Sequence, residues 1–198
     1  MSRIDVIQPG EMNEAQRRVH DEIVQGPRGS VHGRSIGLSG PFNAWIRSPT
    51  LADHAQRLGA FLRFGTRLPA RLTELAIIVV GRHMNASFEF AAHAPLAIRG
   101  GLDPAIVEAI RTRTEPRFTA ADEALVYTLA TALVRTHGVD DASYARAVDL
   151  FGEEGVVELV AIVGYYGLVS LTLNTFRVPL REDMVDPFAE IPSAAVET

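Results

Sequence analysis

Apolar residues recur at three- and four-residue intervals along most of the chain, and period-two alternation is absent, so the pattern predicts helices joined by short breakers. Val19, Ile23 and Val24 give one apolar side to a helix over Glu11–Gln25. A glycine-rich loop over 26–40 follows, then a short helix around Phe42–Arg47 that Ser48-Pro49 breaks. Leu51, Leu58, Phe61 and Leu62 mark the next helix, ending near Phe64. Pro69 suits the first turn of another, and LTELAIIVVGRHM is apolar on nearly every side, the mark of a buried helix.

Asn85 is placed to cap a helix over Ala86–Arg99, which Gly100-Gly101 ends. Asp103-Pro104 opens the next, and Thr119–Arg135, Asp141–Phe151 and Glu153–Phe176 complete an all-α chain of about eight helices. The organisation expected is an N-terminal helix and glycine-rich loop (1–40), a helical domain (41–180) and a C-terminal tail (181–198).

Composition narrows the function classes. Of 198 residues, 47% are hydrophobic and 22% charged, enough apolar material for one well-buried core. A net charge of −5 without a basic block argues against nucleic-acid binding. The N-terminal segment lacks the apolar core of a signal peptide, and the most apolar run, Leu159–Leu171, is short for a bilayer. The expectation is a cytoplasmic protein without a membrane partner. There is no cysteine, so thiolate metal sites and thiol nucleophiles are excluded for this chain.

Chemistry concentrates between residues 74 and 93. Glu89 and His93 are four apart on one helix face, beside small residues that leave room for a ligand. A histidine held by a carboxylate suits general acid–base work, although the simpler reading of that spacing is a solvated pair contributing about 0.2–0.5 kcal/mol. Glu74 lies among apolar neighbours and needs a partner. Arg71, one turn earlier, would make it a structural ion pair, whereas a tight antiparallel hairpin would bring it to His93. His83 could face the same site. Two carboxylates and one convincing histidine make a poor metal centre, so neither metal nor cofactor is expected. The loop GPRGSVHGRS fails as a phosphate cradle, with Arg28 where glycine is needed and Arg34 in place of lysine. It is read as a mobile loop whose Arg34 could close on an anion.

RLTELAIIVVGRHMNASFEFAAHAPLAIRGGL resembles the central motif of the carboxymuconolactone decarboxylase superfamily, which includes the alkylhydroperoxidase-D-like proteins. On that pattern Glu74 matches the relay glutamate and His93 the histidine, while Ala86 and Glu89 occupy the two thiol positions. ASFEFAAH is similar instead to the decarboxylase branch. The segments GPFNAWIRSPTLADHAQRLGAFLRF and DASYARAVDLFGEEGVVELVAIVGYYGLVSLTLNTF look like the flanking parts of the same branch, so the resemblance runs from Pro41 to about Val178.

The resemblance implies an all-α bundle assembled as a homotrimer or hexamer. It implies cofactor-free decarboxylation of a small unsaturated lactone or keto acid, isomerisation or lactone hydrolysis being the alternatives with the same groups. A non-catalytic oligomer that binds a small ligand is the alternative outside enzymes, and thiol peroxidase activity is not expected. The roles that follow are His93 as proton donor, Glu89 as its orienting partner and Glu74 as the second relay carboxylate. Asn43 and Trp45 are expected to line the pocket, with Arg34 or Arg47 gripping a substrate carboxylate.

Overall fold

The computed structural model describes residues 1–28 and 38–191, with the backbone alone at 30–31 and 34–35. It is helical as expected, apart from a two-residue antiparallel pairing of Ser30–Val31 with Arg34–Ser35. In chain order the helices are α1 (Glu14–Gln25), α2 (Phe42–Trp45), α3 (Pro49–Phe64), α4 (Ala70–His83), α5 (Ser87–Arg99), α6 (Pro104–Thr112), α7 (Ala121–Thr136) and α8 (Asp141–Phe176).

Helix α4 is the axle. Every residue from Leu72 to Arg82 is buried, because α5, α7 and α8 pack around it. An all-round apolar sequence has no solvent face to offer, and burial at the centre is its stable position. Helix α1 starts later than the sequence suggests. Asn13 caps it, accepting from Gln16 N at 2.9 Å, while the Gln16 side chain accepts from Asn13 N at 3.0 Å. That reciprocal box leaves Pro9–Glu11 as a separate 3-10 turn.

Asn85 does not cap α5. It adopts a left-handed conformation (φ +50°) two residues past the end of α4, whose last carbonyls it helps to close. Its N–H donates to Arg82 O at 3.2 Å and the Ala86 N–H donates to Gly81 O at 2.8 Å. Its side chain accepts from Arg113 at 3.1 Å, which leaves Ala86 as an uncapped start to α5. The result is the sharp reversal that sets α4 and α5 side by side.

Helix α8 is bent at Gly152 (φ +71°, ψ 166°), where the sequence suggests a break between two helices. Its 36 residues and the mean hydropathy of 1.9 over its most apolar 18-residue stretch would suffice to cross a membrane, but 56% of that stretch is buried inside the chain. It is built as a core helix. Beyond α8 the tail folds back: Phe188 stacks on Phe90 with centroids 5.3 Å apart, and Pro187 O accepts from Arg111 at 2.7 Å.

Candidate active site

The α4–α5 reversal decides which carboxylate meets the histidine. Nδ1 of His93 lies 2.6 Å from Oε2 of Glu74, across the two helices. Arg71 is occupied elsewhere, bonded to Asp122 at 2.7 Å and Glu123 at 2.8 Å, so the structural pairing with Glu74 is not made. A second cation does reach Glu74: Nη2 of Arg63, on α3, is 3.5 Å from its other oxygen. Burial alone would raise the Glu74 carboxyl, but His93 and Arg63 outweigh it and hold the group below its usual range. Burial pushes the His93 imidazole down, against the pull of Glu74 and with help from Arg63 and Arg28. At neutral pH the pair is therefore an ionised Glu74 and a neutral His93. The Nδ1–H then donates to Glu74, and Nε2 keeps its lone pair.

Glu89 is on the same face of α5 but does not orient His93. It is 1% exposed, and neither carboxyl oxygen has a hydrogen-bond partner. Ser170 of α8 is the hydroxyl best placed to lower it, yet the two make no bond of ordinary geometry. Burial without a partner raises its pKa well above the carboxylate range, so Glu89 is held as a neutral acid. The site thus offers a neutral base and a neutral acid one helical turn apart.

Both groups border a cavity of about 780 Å³ between α5, α8, the 39–42 turn and the returning tail. Tyr166 presents its ring to the edge of His93, with centroids 5.1 Å apart at 82°, and Tyr165 meets Tyr166 in the same manner at 5.3 Å. Of the five arginines that line the cavity among the described residues, Arg28 and Arg63 are the most buried. Arg63 stacks over Phe64 at 5.0 Å, and Arg28 lies over Phe42 at 5.5 Å. Nε and Nη2 of Arg28, Nε of Arg63 and the Tyr165 hydroxyl are buried without hydrogen-bond partners.

Neither a protein-family model nor any curated protein matches the chain by sequence. Solved structures do match by shape. An uncharacterised peroxidase-related protein from Ralstonia eutropha JMP134, described as an alkylhydroperoxidase AhpD core, superposes with a TM-score of 0.73 at 14% identity, covering 91% of this chain and 93% of its own. A peroxidase-related protein from Silicibacter sp. TM1040 gives 0.69 at 12% identity, with coverages of 91% and 92%. The debrominase Bmp8, as a cysteine variant in complex with 2,3,4-tribromopyrrole, gives 0.62 at 15% identity, with coverages of 96% and 97%. The chain has the alkylhydroperoxidase-D-like fold.

Within that fold, Glu89 and His93 line the cavity, and Glu74 reaches it only through its contact with His93. The other expected binding residues do not. Asn43 holds the N-terminal arm, accepting from Ile7 N at 3.1 Å and donating to Asp5 O at 3.0 Å. Arg47 donates to the same Asp5 carbonyl at 2.7 Å. Trp45 is buried in the core, its indole N–H donating to Thr172 at 3.0 Å. His83 is exposed at the far end of α4, and the side chain of Arg34 lies outside the described residues.

Arg28 and Arg63 are the most buried cations of a lining that also holds Arg99, Arg111 and Arg181, and sequence reasoning passed over them. A signal for Arg63 exists: it continues the four-residue spacing of Ala55 and Gly59, so it shares the buried face of α3. Arg28 has no such signal, because a loop residue follows no period. Among the described residues, no three His, Asp or Glu side chains converge to hold a metal ion.

Proposed function

We propose that the chain is a cofactor-free enzyme that moves a proton to or from carbon in an organic acid, with decarboxylation of an unsaturated lactone or keto acid as the reaction. The observation that carries this reading is the buried Glu74–His93 pair set one helical turn from Glu89, a buried carboxyl without a hydrogen-bond partner. The debrominase of the same fold, bound to a small planar heterocycle, supports catalysis on this scaffold. This chain has no thiol, so its chemistry must run on oxygen and nitrogen groups.

In the decarboxylation, the bond from carbon to the carboxylate breaks and CO2 leaves. Its electron pair passes into the conjugated carbonyl as an enolate. Glu89 donates its proton to the carbon left behind, and the net change is CO2 replaced by H. The cycle consumes one solvent proton for each carboxylate lost, and His93, held by Glu74, relays that proton through Nε2 to the Glu89 carboxylate. A positioned acid or base of this kind contributes roughly 10²- to 10⁴-fold in rate. The acid is therefore Glu89 and the relay His93, the reverse of the order that their spacing suggests.

The coexistence of neutral base and neutral acid favours one other reading. His93 could remove a proton from one carbon while Glu89 supplies one to another, which is isomerisation without loss of CO2.

We further propose a homo-oligomer, trimer or hexamer. Leu51, Leu58 and Phe61 on α3, with Val157, Val160 and Leu171 on α8, form half-exposed apolar rows of the sort a second copy covers. Sedimentation velocity tests this; a monomer at micromolar concentration would exclude it.

The reaction is tested by CO2 release from 4-carboxymuconolactone and from β-keto acids, with a chelator present. Release that survives the chelator and is lost in His93→Ala is the expected result. Silence across the panel, or release at the native rate by the variant, would overturn it.

A further inference from the structure

The charges on the cavity wall do not balance. Arg28 and Arg63 are both permanently charged and about nine-tenths buried or more, with exposures of 7% for Arg28 and 10% for the Arg63 side chain. Arg63 is answered by Glu74. Arg28 is answered by nothing at ion-pair distance among the described residues. Glu89 makes no hydrogen bond to it, and Nε and Nη2 of Arg28 have no partner. A buried guanidinium left so is costly unless an anion completes it. A cation over the Phe42 ring gains too little to replace a counter-ion.

The surroundings are shaped around that vacancy of charge. Gly59 of α3 admits the Arg28 guanidinium and the Tyr165 hydroxyl: a Cβ there would fall 2.1 Å from Nη2 of Arg28 and 2.1 Å from the hydroxyl oxygen. Buried donors of Arg28 and Arg63 therefore share one wall with the Tyr165 hydroxyl, which lies close enough to the Arg28 guanidinium to feel its charge. The remaining walls are mostly apolar and aromatic, with Phe42, Phe88, Phe90 and Tyr166 among them.

We infer that Arg28, Arg63 and Tyr165 form a subsite for a single carboxylate, and that the acid it takes carries an apolar, ring-sized or larger body that fills the rest of the cavity. Arg28 is one positive charge without a counter-ion, so this subsite takes one carboxylate; Arg111 and Arg181, which also line the cavity, are already paired with Glu108 and Asp183. The volume of 780 Å³ lies in the range of sites for ligands well above a small lactone in size. As a substrate site this subsite rests on the proton-transfer reading. As a binding site it stands on the cations alone.

The test compares 2-naphthoate with its uncharged analogue 2-naphthamide by calorimetry on the full chain. The carboxylate is expected to bind roughly 10- to 100-fold more tightly, the range of one charge-assisted pairing. Arg28→Met should abolish the difference and Arg28→Lys should restore part of it. Should Arg28→Met fail to fold, Gly59→Ala displaces the guanidinium without removing it and should weaken naphthoate alone. Equal affinity for the two compounds, or binding by neither, would overturn the subsite. Naphthoate binding in a protein that turns over no acid would sink the proton-transfer reading and leave the subsite standing.

Discussion

His93 of α5 and Glu74 of α4 are joined at 2.6 Å across the two helices that the Asn85 reversal sets side by side. Nineteen residues separate them in the chain. The bond converts an ordinary imidazole into an oriented one, with its second nitrogen free for chemistry. Glu74→Gln keeps the shape but loses the charge, which frees the tautomer. We expect turnover to fall by about 10²-fold or more while the melting temperature moves little. Turnover within twofold of native would show that the pair is structural.

The pH profile follows from two opposite shifts. Turnover needs His93 neutral, and burial puts its pKa below the ordinary 6.5, so the acid limb should lie below that value. It also needs Glu89 protonated, and the alkaline limb should lie well above the ordinary 4.5 of a glutamate. Ser170→Ala keeps the acid and removes the hydroxyl that lowers it, so the alkaline limb should move to higher pH. A limb that stays in place in that variant would belong to another group.

Stability carries the same signature. The folded state holds the Glu89 proton more tightly than the unfolded chain does, since its pKa is raised on folding. Its contribution is complete below the unfolded value and is lost as pH rises through the folded one, at about 1.4 kcal/mol per pH unit while only the unfolded state ionises. Urea unfolding across pH 5–8 should show this decline in the native chain relative to Glu89→Gln. Parallel curves for the two proteins would contradict it.

Trp45 is expected to act as core. Thr172→Val removes the acceptor of a buried indole N–H and should cost about 1–3 kcal/mol, read by urea unfolding, with kcat/KM unchanged. A loss of turnover without loss of stability would return Trp45 to the pocket.

How much of this was legible depends on the kind of information each feature needed. The helices could be read because apolar spacing is local, and even the break at Gly152 follows from one glycine between two periodic runs. The apolar setting of Glu74 announced that it needed a partner. Which partner was decided by the turn. Asn85 served as the left-handed end of α4 instead of a cap for α5, and this set the register that turns Glu74 towards His93. The same uncertainty misplaced Glu89, whose i,i+4 spacing from His93 is real but whose carboxyl finds no partner. Asn43 and Arg47 looked available because the arm that consumes them, around Asp5 and Ile7, has no periodic signal of its own. Arg28 was hidden for the same reason, in a loop where position depends wholly on tertiary packing.

The central claim is that His93 and Glu89 exchange protons with carbon. The most direct measurement is to incubate the native chain with a panel of unsaturated and β-keto monocarboxylic acids in D2O and follow deuterium at carbon by NMR, with a chelator present. The account predicts one solvent deuterium incorporated at a single carbon, in product or recovered acid, and loss of that incorporation in both His93→Asn and Glu89→Gln. Incorporation by either variant at the native rate, or none above background with any acid that binds, would contradict it.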